Sequence, residues 1–171
     1  MNLPTEGDLS DKERLIIRIP TLVSLVDGAS YDLVGSNTIP VGIRHPDNHY
    51  GIQQVNDALQ RIADSYIALH PGDVLRYNDM SLVTGGIFDL NGNLRSPHSA
   101  HGCGTDIDVG ISAVNGHSIV AEDLARLVSV NSPGAFMIHE SRTVPNHVQN
   151  PNEHFTFTLL AVEKFPIMPI I

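Results

Sequence analysis

Ser96-Pro97-His98-Ser99-Ala100-His101-Gly102-Cys103-Gly104-Thr105-Asp106-Ile107-Asp108-Val109-Gly110-Ile111 opens as a polar turn and closes as a strand. From Thr105 to Ile111 the residues alternate. Thr105, Ile107, Val109 and Ile111 point one way, while Asp106 and Asp108 point the other. An apolar face backing two acids suits a strand whose polar side lines a cleft. Catalytic zinc takes three protein ligands from His and Asp/Glu and keeps a fourth position for water. His101 on the loop and Asp108 on the strand reach one metal if the loop folds back, and Gly102 and Gly104 supply that freedom. Spacing alone is equally compatible with a polar turn carrying two surface histidines.

Outward from this stretch, periodicity sets the other elements. Ile52, Val55, Leu59, Ile62, Tyr66 and Leu69 recur at helical spacing, which predicts a helix over 52–69 stopped by Pro71-Gly72. Leu15 to Val26 reads as one or two short strands broken at Pro20, followed by a Gly-, Asn- and Pro-rich loop through Gly35 to Gly51. Val74 to Tyr77 reads as a short strand. Ala121 to Val128 reads as a short helix capped by Ser118 or Asn115. Phe136 to His139 and His154 to Leu160 read as the last two strands. Strands and helices mix without a repeating βαβ rhythm, which predicts an α+β fold with a mainly antiparallel central sheet flanked by helices. Residues 1–14 read as a flexible lead-in and 15–171 as one domain, a length sufficient to bury a core.

Composition narrows the function. A net charge of -9 argues against nucleic acid, because phosphate binding needs a basic surface. No apolar run approaches a membrane span. Nine histidines beside only ten Lys plus Arg hint at metal chemistry. The single cysteine, Cys103, excludes an intrachain disulfide and a four-Cys zinc module, and a small packing role is expected for it. Met1 to Arg14 holds no apolar core resembling a signal peptide, so the protein is expected either to be cytoplasmic or to have lost an export signal.

Ser99, His101, Gly104 and Asp108 resemble the first metal motif of the LAS metallopeptidases: Ser-x-His, six residues, then Asp, with Gly third after the His. His98, three residues before His101, and Asp106, two before Asp108, resemble the penicillin-insensitive murein endopeptidases within that group. Tyr50-Gly51, the helix, Asn78-Asp79-Met80-Ser81 and Gly85-Gly86 resemble the order of elements upstream of the motif. The likeness spans roughly residues 45–160 and is most specific over 98–108. It implies a Hedgehog/DD-peptidase-like fold and a bound Zn2+. The implied activity is hydrolysis of amide bonds in peptidoglycan peptide cross-links, in the periplasm or outside the cell. The alternatives are a D-Ala-D-Ala type carboxypeptidase or dipeptidase, and a degenerate, non-catalytic cell-wall-binding module.

In that family the third ligand lies on a late strand, usually in a His-x-His pair. Here the segment reads Asn152-Glu153-His154-Phe155-Thr156-Phe157. In one register His154 is the ligand and Asn152 replaces the first His. In the other, Thr156 stands at the ligand position. His154 is the expected ligand, because a His and an Asp alone hold zinc poorly. For the proton-accepting group the candidates are His147, His139, Glu140 and Glu153, with His147 and His139 preferred. Asp106 and His98 are expected to orient a ligand or touch substrate. Asp79 and Ser81 line the cleft or form a turn. His45 and His49 suit the cleft rim or a helix cap, and His70 and His117 suit plain surface positions.

Overall fold

A computed structural model describes residues 21–34, 48–86, 101–140 and 154–159. Within them the elements are β1 (Leu22–Ser24), β2 (Tyr31–Leu33), β3 (Tyr50–Ile52), α1 (Gln53–Leu69), β4 (Leu75–Tyr77), β5 (Asp106–Gly110), α2 (Ala121–Asn131), β6 (Phe136–Glu140) and β7 (His154–Thr158). The fold is α+β. A five-stranded sheet runs in the order β2-β4-β5-β7-β6, and β1 and β3 form a separate two-stranded ribbon.

α1 forms where the periodic apolar residues predict it. Val55, Leu59, Ile62 and Tyr66 are buried along one stripe, with Ala58 and Ala63 letting the helix sit close to its neighbours. Leu69 continues that stripe but is exposed as the last helical residue, and Ile52 belongs to β3 instead. The helix ends as the His70 N–H closes on the Tyr66 carbonyl and Gly72 turns the chain at φ +92°. Only glycine takes that conformation without strain.

The sheet is mixed because of β2, which falls in the stretch after Val26 that the sequence reads as loop. β2 pairs parallel with β4, and the remaining ladders are antiparallel. Parallel neighbours need a long crossover, and α1 supplies it between them. Three residues are too short to carry a periodicity, so β2 is defined by its partner and not by its own pattern.

One face of the sheet is the core. Ile107 and Val109 from β5, Phe155 and Phe157 from β7, and Leu75 and Tyr77 from β4 are all buried there, with Met137 from β6 packed against them. Each such side chain contributes about 1.5–3 kcal/mol by leaving water. Tyr77 is fully buried and donates its hydroxyl to the Leu59 carbonyl at 2.7 Å, tying sheet to helix. Burial pushes its phenol well above the ordinary range.

α2 runs three residues longer than expected, and its cap differs. Val120 is the cap residue and offers no side-chain bond. Its N–H instead donates to the Tyr66 hydroxyl of α1 at 2.8 Å. Ser118 is used in a bridge to Ser112, and Asn115 organises the preceding turn by accepting from the His117 N–H. A tertiary partner has replaced the local cap.

Candidate metal centre

The opposite face of the same strands carries polar groups. β5 and β7 pair in the register Asp106↔Thr158, Asp108↔Thr156 and Gly110↔His154. The period of two therefore places Asp106, Asp108, His154, Thr156 and Thr158 on one side. β6 continues the rows, with Phe136 opposite Thr158, Ile138 opposite Thr156 and Glu140 opposite His154.

Asp108 is the hub. Its Oδ1 accepts a hydrogen bond from the Thr156 hydroxyl at 2.9 Å, directly across the ladder. Its Oδ2 lies 3.4 Å from Nε2 of His101 and 3.4 Å from Nε2 of His154. His154 reaches it diagonally. The residue directly opposite His154 is Gly110, whose missing side chain leaves room for Arg76 beside it. The side chains of His101 and Asp108 are 1% and 3% exposed and that of His154 is 15%, so the hub opens on the His154 side.

His101 arrives from the loop in a left-handed backbone conformation, φ 69°. Gly104, at φ 73°, makes the second left-handed turn, and a Cβ there would stand 3.1 Å from the Gly51 Cα. Gly104 thus meets both a conformational and a steric demand. Gly102 serves a different purpose, passing so close to the Gly86 carbonyl that a Cβ would lie 2.9 Å from its oxygen. Backbone bonds then set the loop against its neighbours: Gly86 N–H to Gly102 O at 2.7 Å and Ile52 N–H to Gly104 O at 3.2 Å. The Nδ1 of His101 faces the Asp106 carbonyl at 3.4 Å. With the proton on Nδ1, Nε2 presents its lone pair toward Asp108.

Burial pulls the His101 imidazole down, but the hydrogen bond and charge of Asp108, reinforced by Asp79, outweigh it and hold it above its usual range. Burial likewise pushes Asp108 up. His101, His154 and Thr156 together reverse this and keep it below the ordinary carboxylate range. The site is thus built to keep Asp108 ionised.

The donor set suits zinc in chemistry and in two spacings. Ligands about 2.1 Å from a tetrahedral ion stand about 3.4 Å apart, which is the separation of each imidazole from Oδ2. Among the described residues, however, no three His, Cys, Asp or Glu side chains form a ready cage for a metal ion. What they provide is one carboxylate oxygen shared by two imidazoles.

Other residues named from the sequence take different places. His139 pairs with Phe155 and lies on the core side of β6, its ring 4.9 Å from the Phe155 ring. It does not face the hub, because adjacent strand residues point to opposite faces. The Asp106 carboxylate accepts from Thr158 at 2.6 Å and Thr105 at 3.0 Å, so its backbone carbonyl, not its side chain, meets His101. Asp79 and Ser81 are buried, as His101 and Asp108 are. His49 sets its Nε2 against the carbonyls of Val34 at 3.1 Å and Tyr77 at 3.3 Å, clamping β2 to β4 instead of capping a helix. Cys103 is exposed, which corrects the packing role expected of it. His98, Ser99, His147, Asn152, Glu153 and His45 lie outside the described residues. No helix among the described residues is long and apolar enough to cross a membrane. No protein-family model matches the chain, and no curated protein matches it.

Proposed function

We propose that the protein is a zinc-dependent peptidase that hydrolyses amide bonds in peptidoglycan peptide cross-links, outside the cell or in the periplasm, on a Hedgehog/DD-peptidase-like fold. The observation that carries this reading is the pair of 3.4 Å separations from His101 and His154 to a single Asp108 oxygen. His101, Asp108 and His154 would hold the ion. When bound, zinc supplies Lewis-acid polarisation of a carbonyl and a water that ionises near neutral pH.

The chain's own groups do the rest. Thr156 occupies Oδ1 of Asp108 and leaves Oδ2 as the donor. The Asp106 carbonyl orients His101. Phe136 and Ile138, half exposed on the rows beside Thr158 and Thr156, offer an apolar wall to a peptide laid across the sheet. Of the residues considered for taking the proton, Glu140 holds the backbone position opposite His154. The resemblance at His98 and Asp106 favours an endopeptidase. Turnover of cross-linked muropeptides, with free D-Ala-D-Ala dipeptide left intact, is the expected result. The reverse preference would favour the carboxypeptidase or dipeptidase reading.

A second reading is a cell-wall-binding module without catalysis. It draws support from Thr156, which stands directly opposite Asp108 and carries a hydroxyl in place of an imidazole, and from the lack of a ready three-residue cage among the described residues. Metal analysis of untagged protein after zinc is added back separates the two. Near-stoichiometric zinc supports the enzyme, and its absence, together with retained binding to cell-wall sacculi, supports the module.

A further inference from the structure

We propose that Arg76 is a substrate-binding residue that selects a peptide carrying a free carboxylate close to the scissile amide. The assignment rests on the peptidase reading of the hub. Leu75 and Tyr77 of β4 are buried in the core, so Arg76 between them projects to the opposite face, the one that carries the hub. Tyr77 pairs with Val109, so one step along the antiparallel ladder Arg76 falls beside Gly110. Gly110 in turn lies directly opposite His154. A Cβ at Gly110 would stand 3.3 Å from the Arg76 Cβ and 3.6 Å from its Cδ. The arginine stem therefore lies over the glycine, on the strand next to the one that carries Asp108. Arg76, Gly110 and His154 form one row across the sheet, beside the row of Asp108 and Thr156.

The lysines and arginines among the described residues are Arg61, Arg76 and Arg126. Arg61 donates to the Asn131 carbonyl at 3.3 Å, and Arg126 to the Asp123 carboxylate at 3.1 Å. Arg76 makes no hydrogen bond or ion pair among the described residues, not even with Asp32, its neighbour in the β2–β4 register. Its stem is half-buried, which holds the side chain in place while the charged head keeps its donors. A guanidinium is a planar fork of N–H groups that matches a carboxylate with two parallel bonds. The hub face itself carries Asp106 and Asp108, and the chain's net charge is -9, so a substrate carboxylate is repelled unless a local cation receives it. Arg76 is that cation, one row from Asp108. A peptide cross-link supplies the matching group, as a terminal α-carboxylate or as a side-chain carboxylate.

The test compares a cross-linked muropeptide with two carboxamide forms, one amidated at the terminal α-carboxylate and one at a side-chain carboxylate. Binding is read by calorimetry on the full chain, and turnover on the zinc-loaded chain. Arg76→Gln is expected to weaken binding of the free form and raise its KM by about 10-fold or more. Its kcat, zinc content and melting temperature should stay near the wild type. Amidating the carboxylate that Arg76 holds costs the wild type the same factor and the variant nothing further, and the amide that does so identifies the group. Arg76→Lys keeps the charge, loses the fork and should fall between the two. Wild type that binds the free and both amidated forms equally, or binds none, overturns the proposal without any variant. An Arg76→Gln chain that weakens all three forms alike also overturns it, since Arg76 then acts through packing. If Arg76→Gln fails to fold, Arg76→Met is read by the same criterion. If no muropeptide is cleaved, the peptidase reading falls on its own and the calorimetric comparison still decides the role of Arg76.

Discussion

Histidine–aspartate pairs among the described residues centre on Asp108, Asp73 and Asp123, and they do not serve the same end. His101–Asp108 is buried, its two side chains 1% and 3% exposed, and Oδ2 is shared with a second imidazole at 3.4 Å. His117–Asp73 closes at 2.8 Å, with His117 71% exposed, and His70–Asp123 closes at 3.0 Å with its side chains 22% and 35% exposed. The short pairs are the exposed ones. There the contact is an ordinary hydrogen bond that fastens a turn: Asp73 also takes the Asn115 amide, and Asp123 also takes Arg126. In the hub both nitrogens stand 3.4 Å from the oxygen, farther than in either of the other pairs. Charge pairs screened by water contribute little, whereas a buried carboxylate is costly unless several groups compensate it.

The strongest way to break this contrast is Asp108→Ala. Removing the hub's anion deprives the His101 and His154 imidazoles of the carboxylate oxygen they share. Loss of zinc binding and about 3–5 kcal/mol of stability is expected, read by metal analysis and urea unfolding. Zinc retained at one per chain in this variant would show that the hub is not the metal centre. His101→Ala and His154→Ala should each abolish stoichiometric zinc with a smaller stability loss. If His154→Ala keeps its zinc while Thr156→Ala loses it, the hydroxyl register is the operative one.

Thr156→Val sharpens the comparison. It keeps the shape and removes the donor that holds Oδ1, so Asp108 loses its orientation. Zinc affinity is expected to fall about 10–100-fold and stability by about 1–3 kcal/mol, measured by titration and denaturation.

The pH dependence of the zinc-free protein divides the regions further. His101 is held above its usual value, so the stability it contributes is complete below about pH 6.5 and is lost as pH rises through the raised value. Asp108 is held below its usual value, so its contribution is present above about pH 3.9 and is lost as pH falls through the lowered value. The hub therefore shapes both limbs of the profile. Asp73, lowered by Asn115 and His117, and Asp123, lowered by Arg126 and then His70, add only to the acid limb. Unfolding curves across pH should lose the neutral-to-alkaline decline in His101→Asn and keep it in His117→Ala. Asp73→Asn gives the smallest effect: a slightly shallower acid limb and unchanged zinc content.

The extent to which the sequence carried this picture differs between elements. α1 and β5 were legible because each repeats a pattern over enough residues to define a face. Val55, Leu59, Ile62 and Tyr66 mark the helix, and Ile107 and Val109 set against Asp106 and Asp108 mark the strand. β2 and β3 were not: both fall in or at the edge of the stretch read as loop, and they are defined by pairing with β4 and β1. His139 was misplaced because a strand's parity is fixed by the residue it pairs with, here Phe155. Asp79 was visible as a polar residue in a turn-like run, but its burial and its bond to Asn48 join positions 31 residues apart and leave no local trace.

The residues alone thus specify the chemistry on offer: a loop histidine, an acid on an amphipathic strand, a late-strand histidine, and glycines able to bend the loop. Local steric and periodic rules suffice for that. Only the tertiary structure decided which groups meet. The β5–β7 register sets Thr156 directly across from Asp108 and His154 two residues along the same face, within reach of the same carboxylate, and the His101 loop closes on it. Pairing register is a long-range property, set by which apolar rows interlock in the core, and a shift of one residue would send the hub to the opposite face.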